Sequence, residues 1–128
     1  MERKNISSGT TWEDKFAYSR AVRTGNTIEV SGTTAVISGK VASVGDAYGQ
    51  AVCILQKIEQ ALNHLGASRK DVIRTRMYVT DIGLFEEVGR AHGEFFAHVK
   101  PATTLVEVGA LVDPDMLVEI EATAVLEH

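Results

Sequence analysis

Apolar and polar residues alternate with a period of two along five stretches of this chain, and two longer stretches between them show helical spacing. Side chains that alternate between two faces are typical of β-strands, whereas apolar residues three or four positions apart are typical of an amphipathic helix. The pattern predicts strands over residues 16–22, 27–33, 72–80, 103–111 and 116–125, and helices over residues 46–65 and 84–99. Thr24-Gly25-Asn26 is typical of a hairpin turn between the first two strands.

The last two predicted strands are joined by Val112-Asp113-Pro114-Asp115, in which the Asp-Pro pair favours a type I turn. We therefore expect a β-hairpin. Its core face should consist of Thr104, Val106, Val108 and Ala110 from one strand, and of Val118, Ile120, Ala122 and Ala124 from the other. Its second face mixes carboxylates with apolar groups: Thr103, Leu105, Glu107, Gly109, Leu111, Glu119, Glu121, Thr123 and Val125.

The two helices carry apolar stripes at helical spacing. The first stripe is Ala51, Leu55, Ile58, Leu62 and Leu65, followed by Gly66 as the residue that ends the helix. The second stripe is Phe85, Val88, His92, Phe95, Phe96 and Val99. Gly89 and Gly93 lie beside it, and because each glycine weakens a helix by about 1 kcal/mol relative to alanine, we expect a ligand or another element to approach closely there.

The third strand, residues 72–80, predicts a core side of Ile73, Thr75, Met77 and Val79, with Arg74, Arg76 and Tyr78 on the other side. The order strand, strand, helix, strand, helix, strand, strand indicates an α+β fold, with both helices on one face of a single sheet. The uncovered face would then be partly apolar and partly charged, and burial in an oligomer would explain that mixture.

The composition indicates one globular domain. The 128 residues are 45% hydrophobic and 23% charged, and no apolar run approaches the length of a membrane span. The first residues lack a signal peptide's apolar segment, so the expected location is the cytoplasm. We expect residues 1–15 to be a flexible lead-in, residues 16–125 the domain, and residues 126–128 a remnant of a vector-encoded tag.

Charge and motifs exclude several classes of function. A net charge of −4 gives no electrostatic footprint for nucleic acid, so nucleic acid is not an expected partner. The four histidines show no metal-binding spacing, and the single cysteine, Cys53, excludes a thiolate zinc cluster and is expected to be a packed thiol. The chain has no nucleophile elbow, P-loop or dinucleotide-binding motif. No metal or tightly bound cofactor is expected.

Several ordered segments resemble one known family. The segments F-A-Y-S-R-A-V, V-S-G and E-F-F, the start P-A-T-T-L-V-E-V and the later V-E-I-E-A are similar to those of the Rid family, also called the YjgF/YER057c or endoribonuclease L-PSP family. The similarity extends from Phe16 to Val125. It implies a fold similar to chorismate mutase and a homotrimer, in which the sheets form a central barrel and small-molecule ligands bind in clefts between subunits.

The resemblance departs from the family pattern at one informative position. Family members with enamine/imine deaminase activity have an arginine directly after the Pro-Ala pair, where it binds the substrate carboxylate, whereas this chain has Thr103. A planar bidentate cation is therefore replaced by a short neutral hydroxyl. This difference predicts altered specificity.

The resemblance also assigns roles to Glu119, Tyr18 and Gly32. Glu119 matches a glutamate thought to orient the attacking water, although it could equally pair with Arg74 or Arg76. Tyr18 matches a tyrosine that borders the cleft, and is also an ordinary strand residue. Gly32 matches a glycine that lets backbone approach the ligand, and could instead mark a bulge.

The remaining substrate-binding candidates are Arg76, Phe85, His92 and Thr103. Arg76 could supply the anion-binding group that Thr103 lacks, or could pair with Glu107, Glu119 or Glu121. His92 could border the cleft, or could be a hydrogen-bonded core residue. Active relatives have asparagine near Gly89 and often tyrosine at His92, so the cleft wall formed with Phe85 is altered here.

Three functions follow from these observations. The first is a Rid-like hydrolase of imines or enamines, with Glu119 placing water. The second is a non-enzymatic protein that binds a small metabolite in the same cleft. The third is the endoribonuclease activity attributed to some relatives, which the acidic charge disfavours.

Overall fold

The computed structural model describes residues 2–127. It contains eight strands and three α-helices among those residues, with 3₁₀ turns at Arg69–Asp71 and Ile82–Leu84. The strands are β1 (Arg3–Ile6), β2 (Ala21–Thr24), β3 (Thr27–Thr33), β4 (Val36–Ile37), β5 (Lys40–Val41), β6 (Val72–Val79), β7 (Ala102–Glu107) and β8 (Val118–Val125). The helices are α1 (Thr11–Phe16), α2 (Ala47–His64) and α3 (Phe85–Phe95).

Six strands form one mixed sheet in the order β1-β2-β3-β8-β6-β7, in which only the β6–β7 pair is parallel. Helix α2 packs across β3 and β8, and α3 packs beside α2. The predicted α+β fold, with two helices on one face of a single mixed sheet, is confirmed. We call the sheet surface turned away from α2 and α3 the open face; it carries Glu29, Arg74, Arg76, Tyr78, Glu119, Glu121 and Thr123.

The core lies between the helices and the sheet. All five residues of the first predicted stripe are buried, as are the four predicted core residues of β8. Asp46 caps α2 by accepting a hydrogen bond from the Gly49 N–H at 2.9 Å, and Gly66 beyond its end has a φ of +87°. Cys53 is half-buried and packs against the core.

The N-terminal region differs from the prediction. The hairpin between β2 and β3 is confirmed, but Phe16 ends a helix instead of starting a strand, and β2 begins only at Ala21. The segment expected to be an irregular lead-in contains β1 and α1. The buried Glu13 carboxylate connects them, because it accepts hydrogen bonds from the Ser7 hydroxyl at 2.8 Å and the Ser8 N–H at 3.1 Å.

The predicted hairpin of the last two strands is wrong. β7 and β8 do not pair with each other; they flank β6, with β7 parallel and β8 antiparallel to it. The core face predicted for β7 is also inverted, since Thr104 and Val106 are exposed while Leu105 packs against the core. As the edge strand, β7 is only weakly buried on either face, so its alternation gave little information about direction.

Three smaller predictions are corrected. Ile73 is exposed and not in the core, because the register of β6 against β8 shifts between Val72 and Arg74. Helix α3 ends at Phe95, before Val99. After Thr33, in a segment for which no element was predicted, the chain forms the short β4–β5 ladder. No atom from outside the helix's own backbone lies within 4 Å of a Cβ placed at Gly89 or Gly93, so among the described residues no other element makes the close approach expected there. Approach by a ligand stays a prediction.

The C-terminal residues and the helix lengths bear on the remaining predictions. The Leu126 N–H donates to the Asn26 carbonyl at 2.8 Å, so this residue continues the packing of β8, whereas His128 lies outside the described residues. Across residues 2–127, none of the helices combines the length and apolar character that crossing a membrane requires.

Candidate functional site

Glu119 lies on β8 between two buried core residues, and the strand's alternation directs its side chain to the open face. Its carboxylate rests directly over Gly32 of β3. A Cβ atom at position 32 would overlap Glu119 Oε2, so any side chain there would displace the carboxylate from its observed position. The structure therefore brings these two predicted site residues together and gives Gly32 a steric role.

The surroundings of Glu119 favour proton exchange. Burial raises the pKa of the Glu119 carboxyl, the nearby charge of Glu121 raises it further, and the charge of Arg20 partly opposes the increase. A carboxyl with a raised pKa can accept and return a proton nearer neutral pH than an ordinary glutamate. This part of the open face forms a cleft of about 350 Å³, which we call the Glu119 cleft; it is lined by Gly32, Tyr78, Val108, Ala110, Leu111, Glu119 and Glu121.

A second cleft adjoins the Glu119 cleft and shares Glu121 with it. This larger space, of about 760 Å³, is lined mainly by the first three strands and the α1 region, and it contains both Tyr18 and Arg76. Tyr18 is 43% exposed. The two candidates therefore share a cleft beside Glu119 instead of contacting it directly.

The predicted ion pairs of Arg74 and Arg76 are not observed. Arg74 donates to the Thr104 hydroxyl at 2.6 Å, and within residues 2–127 neither arginine has a glutamate oxygen within 4.0 Å. Glu121 lies opposite Arg76 in the β6–β8 register, but its carboxylate accepts the hydroxyl hydrogen of Tyr78. That hydrogen bond, together with burial and the charge of Glu121, raises the pKa of Tyr78.

His92 and Thr103 lie on the helix side of the sheet, not on the open face. Thr75 Oγ1 is 2.8 Å from both His92 Nε2 and Thr103 Oγ1, and Thr103 Oγ1 is 3.3 Å from the same histidine nitrogen. We call these three residues the Thr-His cluster. Thr103 and Glu119 are thus on opposite faces and do not meet within one chain.

The remaining candidate, Phe85, is the first residue of α3 and is 52% exposed. Sequence reasoning did not single out Thr75 or Arg20 as site residues. The only signal for Thr75 was a polar residue at a predicted core position, and for Arg20 it was a charge within an otherwise uncharged alternating stretch.

His92 makes the stability of the protein depend on pH. Burial lowers its pKa from the ordinary value of 6.5, so as pH falls the unfolded chain binds a proton before the folded chain does. The stabilising contribution of neutral His92 is therefore fully present above pH 6.5, the ordinary pKa, and is lost as pH falls below that value. We expect the unfolding midpoint of the wild type to fall between about pH 7.5 and pH 5.5, and the fall to be smaller in His92→Gln.

Urea unfolding at the two pH values tests this prediction. His64→Gln is the matched control, because His64 is an exposed histidine near the end of α2. An equal fall in the wild type and in His92→Gln would contradict the prediction.

Comparison with known proteins identifies the family. The family model described as Endoribonuclease L-PSP matches residues 12–126. The chain belongs to the Rid (YjgF/YER057c, endoribonuclease L-PSP) family. Among solved structures, a YjgF/YER057c/UK114 family member from Mycobacterium tuberculosis matches this Rid-family chain with a TM-score of 0.89 and 44% identity, covering 98% of this chain and 100% of that one.

Two sequence relatives show how far the similarity extends. An uncharacterised protein of Streptomyces coelicolor is 36% identical over 121 residues, which cover 94% of this Rid-family chain and 90% of the relative. The 3-aminoacrylate deaminase RutC of Acinetobacter baylyi is 33% identical over 108 residues, covering 84% and 85% respectively. The predicted family and fold are confirmed, and a deaminase is among the relatives.

Proposed function

We propose that this protein is a hydrolase of imines or enamines, in which Glu119 orients the attacking water. The observation that carries the proposal is the Glu119 carboxylate, held over Gly32 at the wall of a cleft, with a pKa raised by burial. Water positioned by this carboxylate would add to the C=N carbon and give one proton to the carboxylate, which would pass it to the nitrogen. The new hydroxyl would then give up its proton to the nitrogen by the same route as the C–N bond breaks and the carbonyl forms. The products are ammonia and a carbonyl compound.

The substrate class follows from the Thr-His cluster. By the sequence resemblance, Thr103 matches the position at which carboxylate-binding relatives carry arginine. Its hydroxyl lies within hydrogen-bond distance of Thr75 and His92. Burial lowers the pKa of His92, which favours a neutral ring. A corner built from hydroxyl groups and a neutral imidazole suits a neutral substituent better than a carboxylate. We therefore propose an imine that lacks the carboxylate.

The proposed site requires more than one copy of the chain. Glu119 and Thr103 lie on opposite faces of one sheet, so a cleft that uses both must take them from two subunits. Val106 and Val125 are exposed apolar residues of β7 and β8, at 42% and 37%, and burying them against a second copy would be favourable. A homotrimer with clefts between subunits is consistent with both observations.

Ammonia release above the spontaneous rate tests the substrate class. An amine oxidase generates neutral imines from primary amines, and an amino acid oxidase generates 2-imino acids. We expect the wild type to accelerate hydrolysis of the neutral imine more than that of the 2-imino acid. In Thr103→Arg the preference should move toward the 2-imino acid by roughly ten- to hundredfold, because a charged bidentate hydrogen bond is gained.

Thr104→Arg is the matched control, since it adds the same charge to the next residue of β7, on the opposite face. It should leave the preference unchanged. Light scattering of each variant verifies the same assembly. A folded trimer that accelerates neither imine would contradict the hydrolase proposal and favour a non-enzymatic binding protein.

A further inference from the structure

Arg20 holds two consecutive residues of β3 at once. Its main-chain carbonyl accepts the Ser31 N–H at 3.0 Å, and its guanidinium Nη2 donates to the Gly32 carbonyl at 2.7 Å. These two residues lie where the register between β3 and β8 shifts, between Val30 and Thr33. Arg20 therefore fixes the backbone at an irregularity that the regular sheet ladder does not hold.

The irregularity forms the surface on which the Glu119 carboxylate lies. Because a Cβ at Gly32 would overlap Glu119 Oε2, the carboxylate contacts the Gly32 backbone itself. A small movement of Gly32 would therefore change the position that the carboxylate can occupy. The Ser31 hydroxyl also donates to the carbonyl of Ser19 at 2.6 Å. This second bond ties the same part of β3 to the residue that precedes Arg20. The position of Gly32 thus depends on the segment that carries Arg20.

The guanidinium is held in a way that reduces its own hydrogen bonding. Arg20 Nε is buried and has no hydrogen-bond partner among the described residues. The guanidinium therefore binds the main chain of β3 through Nη2 and not through Nε.

Arg20 also brings a positive charge to this part of the molecule. The charge lowers the pKa of Glu119, in opposition to burial and to Glu121. Arg20 has further charged neighbours, since it lowers the pKa values of Glu13 and Lys57 as well. On the other side of Glu119, Tyr78 lies opposite it in register and hydrogen-bonds to Glu121.

We propose that Arg20 is a positioning residue for Glu119: its bonds to Ser31 and Gly32 hold the backbone under the carboxylate, and its positive charge lies near that carboxylate. The inference rests on the proposed function, in which Glu119 orients water. The role is specific to a guanidinium, because a lysine would retain the charge but lose the planar arrangement of donors.

The test is an NMR titration of the protein labelled with ¹³C at the glutamate carboxyl carbons, with the Glu119 signal assigned by its absence in Glu119→Gln. Arg20→Gln removes the charge and also the hydrogen bond to Gly32, because a glutamine side chain ends where the arginine Nε lies and does not reach as far as Nη2. Glu119 should then titrate at higher pH than in the wild type. The acid limb of the turnover profile should move to higher pH with it. Arg20→Lys should keep the titration near that of the wild type and lose roughly tenfold or more in turnover through misplacement.

Arg23→Gln is the matched control. Arg23 also donates to main-chain carbonyls, of Gly25 at 2.9 Å and Leu65 at 2.6 Å, but it is not among the charges that shift the pKa of Glu119. Its replacement should lower stability without moving the Glu119 titration. Loss of stability in Arg20→Gln with an unmoved Glu119 titration would overturn the proposal.

The titration needs no turnover, so it separates this proposal from the hydrolase proposal. A shifted titration supports the role of Arg20 even if no imine is hydrolysed, and an unmoved one refutes it even in an active enzyme. If Arg20→Gln does not fold, Arg20→Lys decides the matter without turnover, because a Gly32 amide NMR signal at the wild-type position in that variant would overturn the positioning role. Unchanged turnover in Arg20→Lys would overturn the positioning role.

Discussion

Replacing Glu119 by glutamine will reduce imine hydrolysis by about a hundredfold to ten-thousandfold while the protein remains folded, because the amide cannot accept and return the proton of the attacking water. The change is nearly isosteric, so the glutamine still fits over Gly32. The variant also relieves the unfavourable burial of a carboxylate, and its stability should therefore equal or exceed that of the wild type. Ammonia release and urea unfolding together measure both effects.

Glu121→Gln is the matched control for that experiment. Glu121 lies two residues along β8 on the same open face and accepts a hydrogen bond from Tyr78. Its charge raises the pKa of Glu119, so removing it should lower that pKa and move the acid limb of the activity profile to lower pH. Turnover at the optimum should stay within about tenfold of the wild type. A Glu119→Gln variant that is as active as Glu121→Gln would contradict the assigned role.

The parts of the fold that could be predicted were those in which one face of an element is fully buried. The α2 stripe and the alternation of β8 are such cases, since every second or every third to fourth side chain must be apolar to fill the core. The turn at Gly25, which has a φ of +56°, was predictable from local chemistry alone.

The pairing of β7 with β6 could not be read from the same pattern. Alternation indicates a strand but does not identify its partner, and the Asp113-Pro114 pair suggested a tight turn between two strands that β6 in fact separates. The segment after β7 instead crosses to the other side of β6. Only the tertiary arrangement distinguishes the two topologies.

The candidate site also contains some residues that the sequence could indicate and others that it could not. Glu119 and Gly32 were proposed as site residues by resemblance, and the structure places the Glu119 carboxylate directly over Gly32. Arg20 was not, because its contribution depends on a shift in the register between β3 and β8 that no local signal reports. The separation of Thr103 from Glu119 by the sheet was hidden by the incorrect hairpin, which placed both on one face.

Phe96→Ala will lower the free energy of unfolding by about 3–5 kcal/mol. Phe96 is one of the largest fully buried side chains, at 2% exposure. The centroid of its ring lies 4.8 Å from the ring centroid of Phe95 and 4.7 Å from that of His92. Removing the ring leaves a cavity that the surrounding helices can close only partly, and the aromatic contacts are lost as well.

The same substitution should affect the helix side of the sheet and leave the open face unchanged. His92 rests against Phe96, so the Thr-His cluster on the helix side should loosen, whereas Glu119 on the open face should titrate as in the wild type. Phe96→Leu fills most of the cavity and should lose only about 1 kcal/mol. Urea unfolding followed by circular dichroism, at one fixed chain concentration because assembly stabilises the folded state, measures the difference. Equal losses for alanine and leucine would show that the contact with His92, and not the volume of the ring, is what Phe96 contributes.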